Sequence, residues 1–227
     1  MNVYKRYKLG ICLIVFSVLN VIIFTSVAAN NNTKIVSIET KQPSESKEHQ
    51  QRLKFEAVLN ETSAKQHLGF NIPIVTTTAF TLCDTFKNRG LTIPTLMGII
   101  EVESNFNPMA IYRGKDGLTP LSYGLMQVTP GTGMPILSEM GYRWNAETIL
   151  RPDINMKVGV IYLLWLHEQF TTIGVEGKNE FHVSLVAYNR GQKSVFDSVD
   201  KNKRKAVPLD YLAKVKIASR KWENAGF

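Results

Sequence analysis

The stretch Ile93-Pro94-Thr95-Leu96-Met97-Gly98-Ile99-Ile100-Glu101-Val102-Glu103-Ser104, running on into Asn105-Phe106-Asn107-Pro108, decides the reading of this chain. Leu96, Ile99 and Ile100 recur at i, i+3 and i+4, and Glu103 follows at i+7. A helix here therefore aims that glutamate along its apolar stripe. Thr92 is placed to cap the helix, and Pro94 is tolerated in its first turn. Pro108 closes the segment, because the residue before a proline is pushed out of the α region. Glu101, two positions before Glu103, points elsewhere. A lone carboxylate held against apolar surface is a candidate general acid, since desolvation favours its protonated form.

Working outward, the pattern is helical almost everywhere. Ile74, Val75, Phe80, Leu82, Cys83 and Phe86 suit a helix between Pro73 and Arg89, with Gly90 as its C-cap. Leu53 to Leu68 carries Phe55, Val58 and Leu59 on one side of a short helix. Ile111 to Tyr123 reads as a loop from Gly114, Asp116, Gly117 and Pro120. Pro130-Gly131-Thr132-Gly133 punctuates the chain, and a helix over Pro135 to Met140 is closed by Gly141. Asn155 to Phe170 is the clearest helix, lined by Val158, Ile161, Tyr162, Trp165 and Leu166. Phe181 to Asn189 is compact and apolar, and Tyr211 to Trp222 reads as a terminal surface helix. No long strand alternation and no internal repeat stands out. The fold class expected is mostly α.

The N-terminus looks like an export signal. Lys5, Arg6 and Lys8 precede an apolar run from Leu9 to Phe24, and Val27-Ala28-Ala29 offers small residues for cleavage. The run approaches the shortest length that spans a bilayer, so an uncleaved anchor is the competing reading. Cys12 lies too early for a lipoprotein cleavage site. The expected organisation is a signal peptide or anchor at 1–29, a polar tether at 30–51 and one domain over 52–227. Loss of residues 1–29 would lower the formal charge from +8 to +5, because Lys5, Arg6 and Lys8 are the only charged residues removed. A moderately basic exported protein suits an anionic polymer or headgroup surface. Scattered basic residues behind an export signal argue against nucleic acid, and membrane contact is expected only through an uncleaved leader. Cys83 would be the only cysteine left, read as a small core residue rather than a nucleophile. His49, His67, His167 and His182 lack metal-ligand spacing, so no metal and no cofactor are expected.

The blocks Glu103-Ser104 with Phe106 and Pro108, Gly124-Leu125-Met126-Gln127 with Pro130, Asn155, Gly159 and Tyr162-Leu163, and Ala187-Tyr188-Asn189 with Gly191 occur in order. In that arrangement the chain resembles the lytic transglycosylase SLT domain, the lysozyme-like module that degrades bacterial peptidoglycan. The resemblance runs from about Thr76 to about Trp222. It implies a single helical domain of the goose-type lysozyme/SLT kind with a glycan-binding cleft. It also departs from the family: Ser122-Tyr123 precedes the Gly-Leu-Met-Gln block where small residues are usual, and Arg190 replaces a common alanine.

Glycosidic cleavage needs a proton for the leaving oxygen and stabilisation of positive charge at the sugar carbon. No second carboxylate is obviously placed, since Glu101 is on another face and Asp116 and Asp153 read as loop residues. The resemblance implies that Glu103 acts alone, first as acid and then as base toward the C6 hydroxyl of N-acetylmuramic acid. The product would be a 1,6-anhydro sugar, and the substrate's own N-acetyl group can assist. A lysozyme-like hydrolase and a non-catalytic wall-binding protein are the alternatives. Gln127 suits sugar hydroxyls or an acetamido group, or a turn contact. Tyr188 can place its hydroxyl beside Glu103 and tune it, or be a core aromatic. Ser104 and Ser122 offer hydroxyls, and Ser104 is as readily a plain helix-end serine. Met126 packs under the sugar floor or in the core, Tyr162 lines the cleft or the core, and Asn189 fixes backbone around the cleft. Lone domains of this layout often serve a secretion, conjugation or pilus machine, others recycle wall or travel with phage, and these residues select none of the settings.

Overall fold

The computed structural model describes residues 46–67, 69–172, 179–199 and 209–227. The expected leader, and residues 30–45 of the expected tether, lie outside the described residues. Helix α1 spans Lys47–Asn60, α2 Ile72–Phe86, α3 Ile93–Ser104, α4 Pro130–Glu139, α5 Ala146–Ile149 and α6 Pro152–Thr172. Helices α7, Asn179–Arg190, α8, Gln192–Val199, and α9, Asp210–Asn224, complete the set. Short 3-10 turns occupy Ser63–Gln66 and Lys87–Arg89. Strands β1, Ile111–Arg113, and β2, Pro120–Tyr123, pair antiparallel with Tyr112 opposite Ser122. The mostly α class is therefore observed. Among the described residues, no helix is long and apolar enough to cross a membrane.

Local chemistry explains the boundaries. The Thr92 side chain accepts from the Thr95 amide at the start of α3, as the sequence suggested, and Asn105 in the left-handed region ends the helix. Asn71 caps α2 in the same way, and Gly90, at φ 81°, stops the 3-10 turn that follows it. Cys83 is a buried core residue of α2, and burial pushes its thiol up to about 12.

Long α6 forms the spine of the core, burying residues on most of its faces, including Val158, Ile161, Leu163, Trp165 and Phe170. It packs against α2, α4 and α7, while α9 lies along α3. That last contact depends on Gly98, because a Cβ there would stand 2.5 Å from Ser219 Oγ and 2.8 Å from the Val215 carbonyl oxygen. Backbone-to-backbone approach of this closeness needs a residue without a side chain.

Four sequence expectations change. Helix α1 begins at Lys47, inside the segment read as tether, and buries Phe55 with its ring centroid 5.0 Å from that of Trp222. The segment Ile111–Tyr123 holds a hairpin, whose three- and four-residue strands are too short to show alternation. Helix α4 starts at Pro130 rather than Pro135, since proline fits the first helical position, where its missing N–H costs nothing. Helix α9 is a core element: Tyr211, Leu212, Val215, Ser219 and Trp222 are all buried.

Candidate active site

The carboxyl of Glu103 sits one residue before the end of α3, half-buried, at the wall of a cavity of about 310 Å³. Tyr112, Ser122, Gln127, Thr129, Tyr188 and Asn189 line the same space. The Tyr211 hydroxyl, reaching over from the first turn of α9, donates to Glu103 Oε1 at 2.6 Å. Burial pushes the Glu103 carboxyl above the ordinary glutamate range, and the Tyr211 hydrogen bond pulls the other way. Buried Tyr211 is itself held well above an ordinary tyrosine, first by desolvation and then by the neighbouring carboxylate. The two oxygens of the carboxyl thus differ in surroundings. Oε1 accepts from Tyr211, and Oε2 is the oxygen not engaged by that hydroxyl.

The floor of the cleft is the turn Gly124-Leu125-Met126-Gln127, which a single buried side chain organises. Asn155 on α6 accepts from the Met126 amide at 2.7 Å and donates to the Tyr123 and Ile149 carbonyls, each at 2.9 Å. Gly124, at φ 74°, passes so close that a Cβ would stand 2.4 Å from Asn155 Nδ2. Reciprocal bonds between Tyr123 and Val128 close the turn. Ser104 ties this floor to the glutamate helix, its hydroxyl lying 2.9 Å from the Leu125 carbonyl and 3.0 Å from that of Ile100.

Each residue anticipated from sequence now has a place. Ser104 is occupied by backbone carbonyls and braces the site rather than facing the cavity. Buried Ser122 donates to Gln127 Oε1 at 2.6 Å, and Gln127 Nε2 donates to the carbonyls of Gly124 and Ala110 at 2.9 and 3.2 Å. Both residues line the Glu103 cavity with their polar ends satisfied internally, so they shape its wall. Met126 is fully buried against Gly159, the core alternative of its reading. Tyr162 and Asn189 line a second cavity of about 280 Å³ that shares Gln127, Thr129, Tyr188 and Asn189 with the first. The Tyr162 ring lies parallel to that of Trp165, 6.0 Å away, and its edge meets the cleft.

Tyr188 lines the Glu103 cavity but takes the second of its two alternatives for the hydroxyl. Its hydroxyl donates to the Met126 carbonyl at 2.7 Å instead of to Glu103. It still feels the carboxylate, because the nearby charge adds to burial in raising its pKa. The hydroxyl that does bond Glu103 is that of Tyr211. The signal for Tyr211 was present, as residues 211, 212, 215, 219 and 222 form one helical stripe whose first member is a tyrosine. What a stripe does not carry is which neighbouring helix it meets.

Glu101, Asp116 and Asp153, the other carboxylates weighed from sequence, are engaged elsewhere. Glu101 faces Lys221 at 3.9 Å. Asp116 accepts from the Thr119 hydroxyl and from the amides of Leu118 and Thr119 within the hairpin turn. Asp153 lies in the first turn of α6 rather than a loop, and it pairs with Arg151 and Lys157. Arg190 lines the second cavity, with Nη2 3.2 Å from Asp210 Oδ1.

Comparison with known proteins agrees with this architecture. The model of the transglycosylase SLT domain family matches residues 85–209. The membrane-bound lytic murein transglycosylase C of Glaesserella parasuis is 29% identical over 124 residues, 53% of this chain and 32% of that protein. Its namesake from Haemophilus influenzae is 30% identical over 124 residues, 53% of this chain and 33% of that protein. The matched part therefore spans about a third of the length of these curated relatives. Among solved structures, an inactive mutant of lytic transglycosylase Slt from Pseudomonas aeruginosa is 24% identical, covers 66% of this chain and 22% of that chain, and has a TM-score of 0.42. With the family match extending over more than half of its length, the chain belongs to the transglycosylase SLT domain family.

Proposed function

We propose that this protein is a peptidoglycan lytic transglycosylase, cleaving the β-1,4 bond between N-acetylmuramic acid and N-acetylglucosamine. The observation that carries the reading is the Glu103–Tyr211 pair. A carboxyl whose pKa burial raises meets a hydroxyl that can stabilise its ionised form. That combination suits one group acting as acid and then as base. In the first step Glu103 gives its proton to the glycosidic oxygen as the bond to C1 of the muramic sugar breaks. In the second, the Glu103 carboxylate takes the proton of that sugar's C6 hydroxyl while O6 closes onto C1. The proton inventory balances, and no water is consumed. Tyr211 holds the carboxyl in one orientation through both steps and lowers the cost of its charge between them.

A hydrolase of the inverting kind would need a second carboxylate to activate water. Among the described residues lining the two cavities, Glu103 is the sole carboxylate. The site residues in this reading are Glu103 as acid and base, with Tyr211 orienting it. Ser122, Gln127, Tyr188 and Asn189 form the cavity wall, and Tyr162 extends it.

The setting proposed is the cell envelope outside the cytoplasm. The basic, apolar leader pattern supports it, as does the membrane-bound designation of the relatives. Service to a secretion, conjugation or pilus machine belongs to the same proposal. The test is mass spectrometry of muropeptides released from purified peptidoglycan by the protein and by its Glu103→Gln variant. Products lighter by one water than the reducing sugars, absent with the variant, are expected. Glu103-dependent reducing sugars would make the protein a hydrolase. Binding without release by either protein would make it a wall-binding component.

A further inference from the structure

Residues 63–67, with 69 and 70, lie against the chain at the point where it leaves the glutamate helix. The Ser63 hydroxyl lies 2.9 Å from the Asn105 carbonyl oxygen and 2.8 Å from Asn105 Oδ1, one proton shared between two acceptors. His67 Nε2 lies 2.9 Å from the same carbonyl, which requires the ring to carry its proton there. Gly69 faces Pro108 and Met109, and the Phe70 ring meets Phe106 edge-on at 6.4 Å. The segment so enclosed is unusual. Asn105 and Phe106 stand at φ 50° and 61°, two consecutive non-glycine residues in the left-handed region. Such residues are disfavoured and persist only where their surroundings over-determine them. The family match begins at residue 85, so this collar comes from chain outside it.

We propose that Ser63 and His67 are positioning residues for Glu103, clamping the Asn105 carbonyl so that the left-handed turn fixes the end of α3. The inference rests on the reading of Glu103 as the acid and base. A helix frays at its last turn unless its end is tied, and Glu103 is the next-to-last residue of α3. Its carboxyl must stay aligned with the Tyr211 hydroxyl, and misplacement by a fraction of an ångström is costly in a proton transfer. Three ties act on this end: Ser104 to the Leu125 carbonyl, the buried Phe106 ring, and the collar. Only the collar grips the strained peptide itself.

The test uses the full chain with Ser63→Ala and His67→Ala combined, and purified peptidoglycan as substrate. Three quantities are read on the same samples: kcat and KM for anhydro-product release, the thermal midpoint, and the pH titration of the Glu103 side chain by carbon NMR. The expected result is a kcat lower by about tenfold with KM within about twofold, because alignment and not binding is lost. The Glu103 titration should move toward the ordinary glutamate range as its carboxyl loosens into water. Adding Asn105→Gly should recover most of kcat, since glycine adopts a positive φ without strain. His67→Gln alone should retain activity if its amide reaches the carbonyl.

Wild-type kcat and an unmoved titration in the double variant would overturn the proposal. A loss that Asn105→Gly does not restore, or one divided equally between kcat and KM, would also overturn it. If the double variant does not fold, Ser63→Ala alone is read against the same criteria. If the unmodified protein releases no anhydro sugar, the transglycosylase reading fails, while the titration comparison still decides the collar.

Discussion

Tyr211 Oη and Glu103 Oε1 are 2.6 Å apart although 108 residues separate them in the chain. Their meeting depends on α9 lying directly on α3 at Gly98, so the hydrogen bond to the carboxyl and the packing of two helices are one structural fact. The hydrogen bond opposes the burial of the carboxyl, and the balance between the two sets where Glu103 titrates.

Removing that donor should shift the balance in one direction. In Tyr211→Phe the lowering influence on Glu103 disappears, so its pKa rises further. The acid stays protonated to higher pH, and the alkaline limb of kcat/KM moves up. The rate should fall by about ten- to a hundredfold, because the ionised intermediate form loses its donor. A pH profile of anhydro-product release by wild type and variant checks both the sign and the size.

The same carboxyl should cost stability at neutral pH. Its folded-state pKa lies above the unfolded value, so the proton contributes stability that is complete below the unfolded pKa. That contribution is lost as pH rises through the folded pKa. Glu103→Gln should therefore melt higher than wild type at neutral pH, and the difference should shrink toward acid pH. Thermal midpoints of the two proteins across that range decide it, and a constant difference would contradict the buried-acid assignment.

Gly98→Ala should damage activity beyond its effect on folding. The new methyl meets Ser219 Oγ at 2.5 Å and the Val215 carbonyl at 2.8 Å, and the second of these is backbone that cannot rotate away. Overpacking of this kind costs about 1–3 kcal/mol. The displacement falls on α9, so the Tyr211–Glu103 bond should lengthen. Activity below that of an equally destabilised control variant, measured at a temperature where both are folded, is the expected outcome.

Asn155→Ala should be among the most destabilising single substitutions in the domain. It leaves the Met126 amide and the Ile149 carbonyl without their Asn155 partner, removes one of two donors from the Tyr123 carbonyl, and opens space beneath Gly124. Each unsatisfied buried group costs about 1–3 kcal/mol. A loss of at least about 2 kcal/mol in denaturant unfolding is expected on that basis, together with lost activity as the turn at 124–127 relaxes.

Much of the domain was legible residue by residue. The period of Leu96, Ile99, Ile100 and Glu103 placed the glutamate on its helix, and Thr92, Pro94 and Gly90 marked helix boundaries, because caps and amphipathic stripes are local properties. The order of the sequence blocks pointed to the family, and Glu103, Gln127, Tyr188 and Asn189 from those blocks line one cavity. The hairpin at 111–123 escaped because strands of three and four residues are too short for a period to show.

What sequence could not decide was which hydroxyl meets Glu103. Tyr188 and Tyr211 are both tyrosines on helices near the end of the chain, and side-chain chemistry does not distinguish them. The choice was made by tertiary packing: the bare backbone of Gly98 admits α9, while Asn155 positions the Met126 carbonyl that takes the Tyr188 hydroxyl. The grip of Ser63 and His67 on Asn105 was hidden for the same reason, since the partners lie 42 and 38 residues apart. Helical period and capping are written within a few residues of one another, whereas a hydrogen bond between distant segments exists only once the core has fixed their separation.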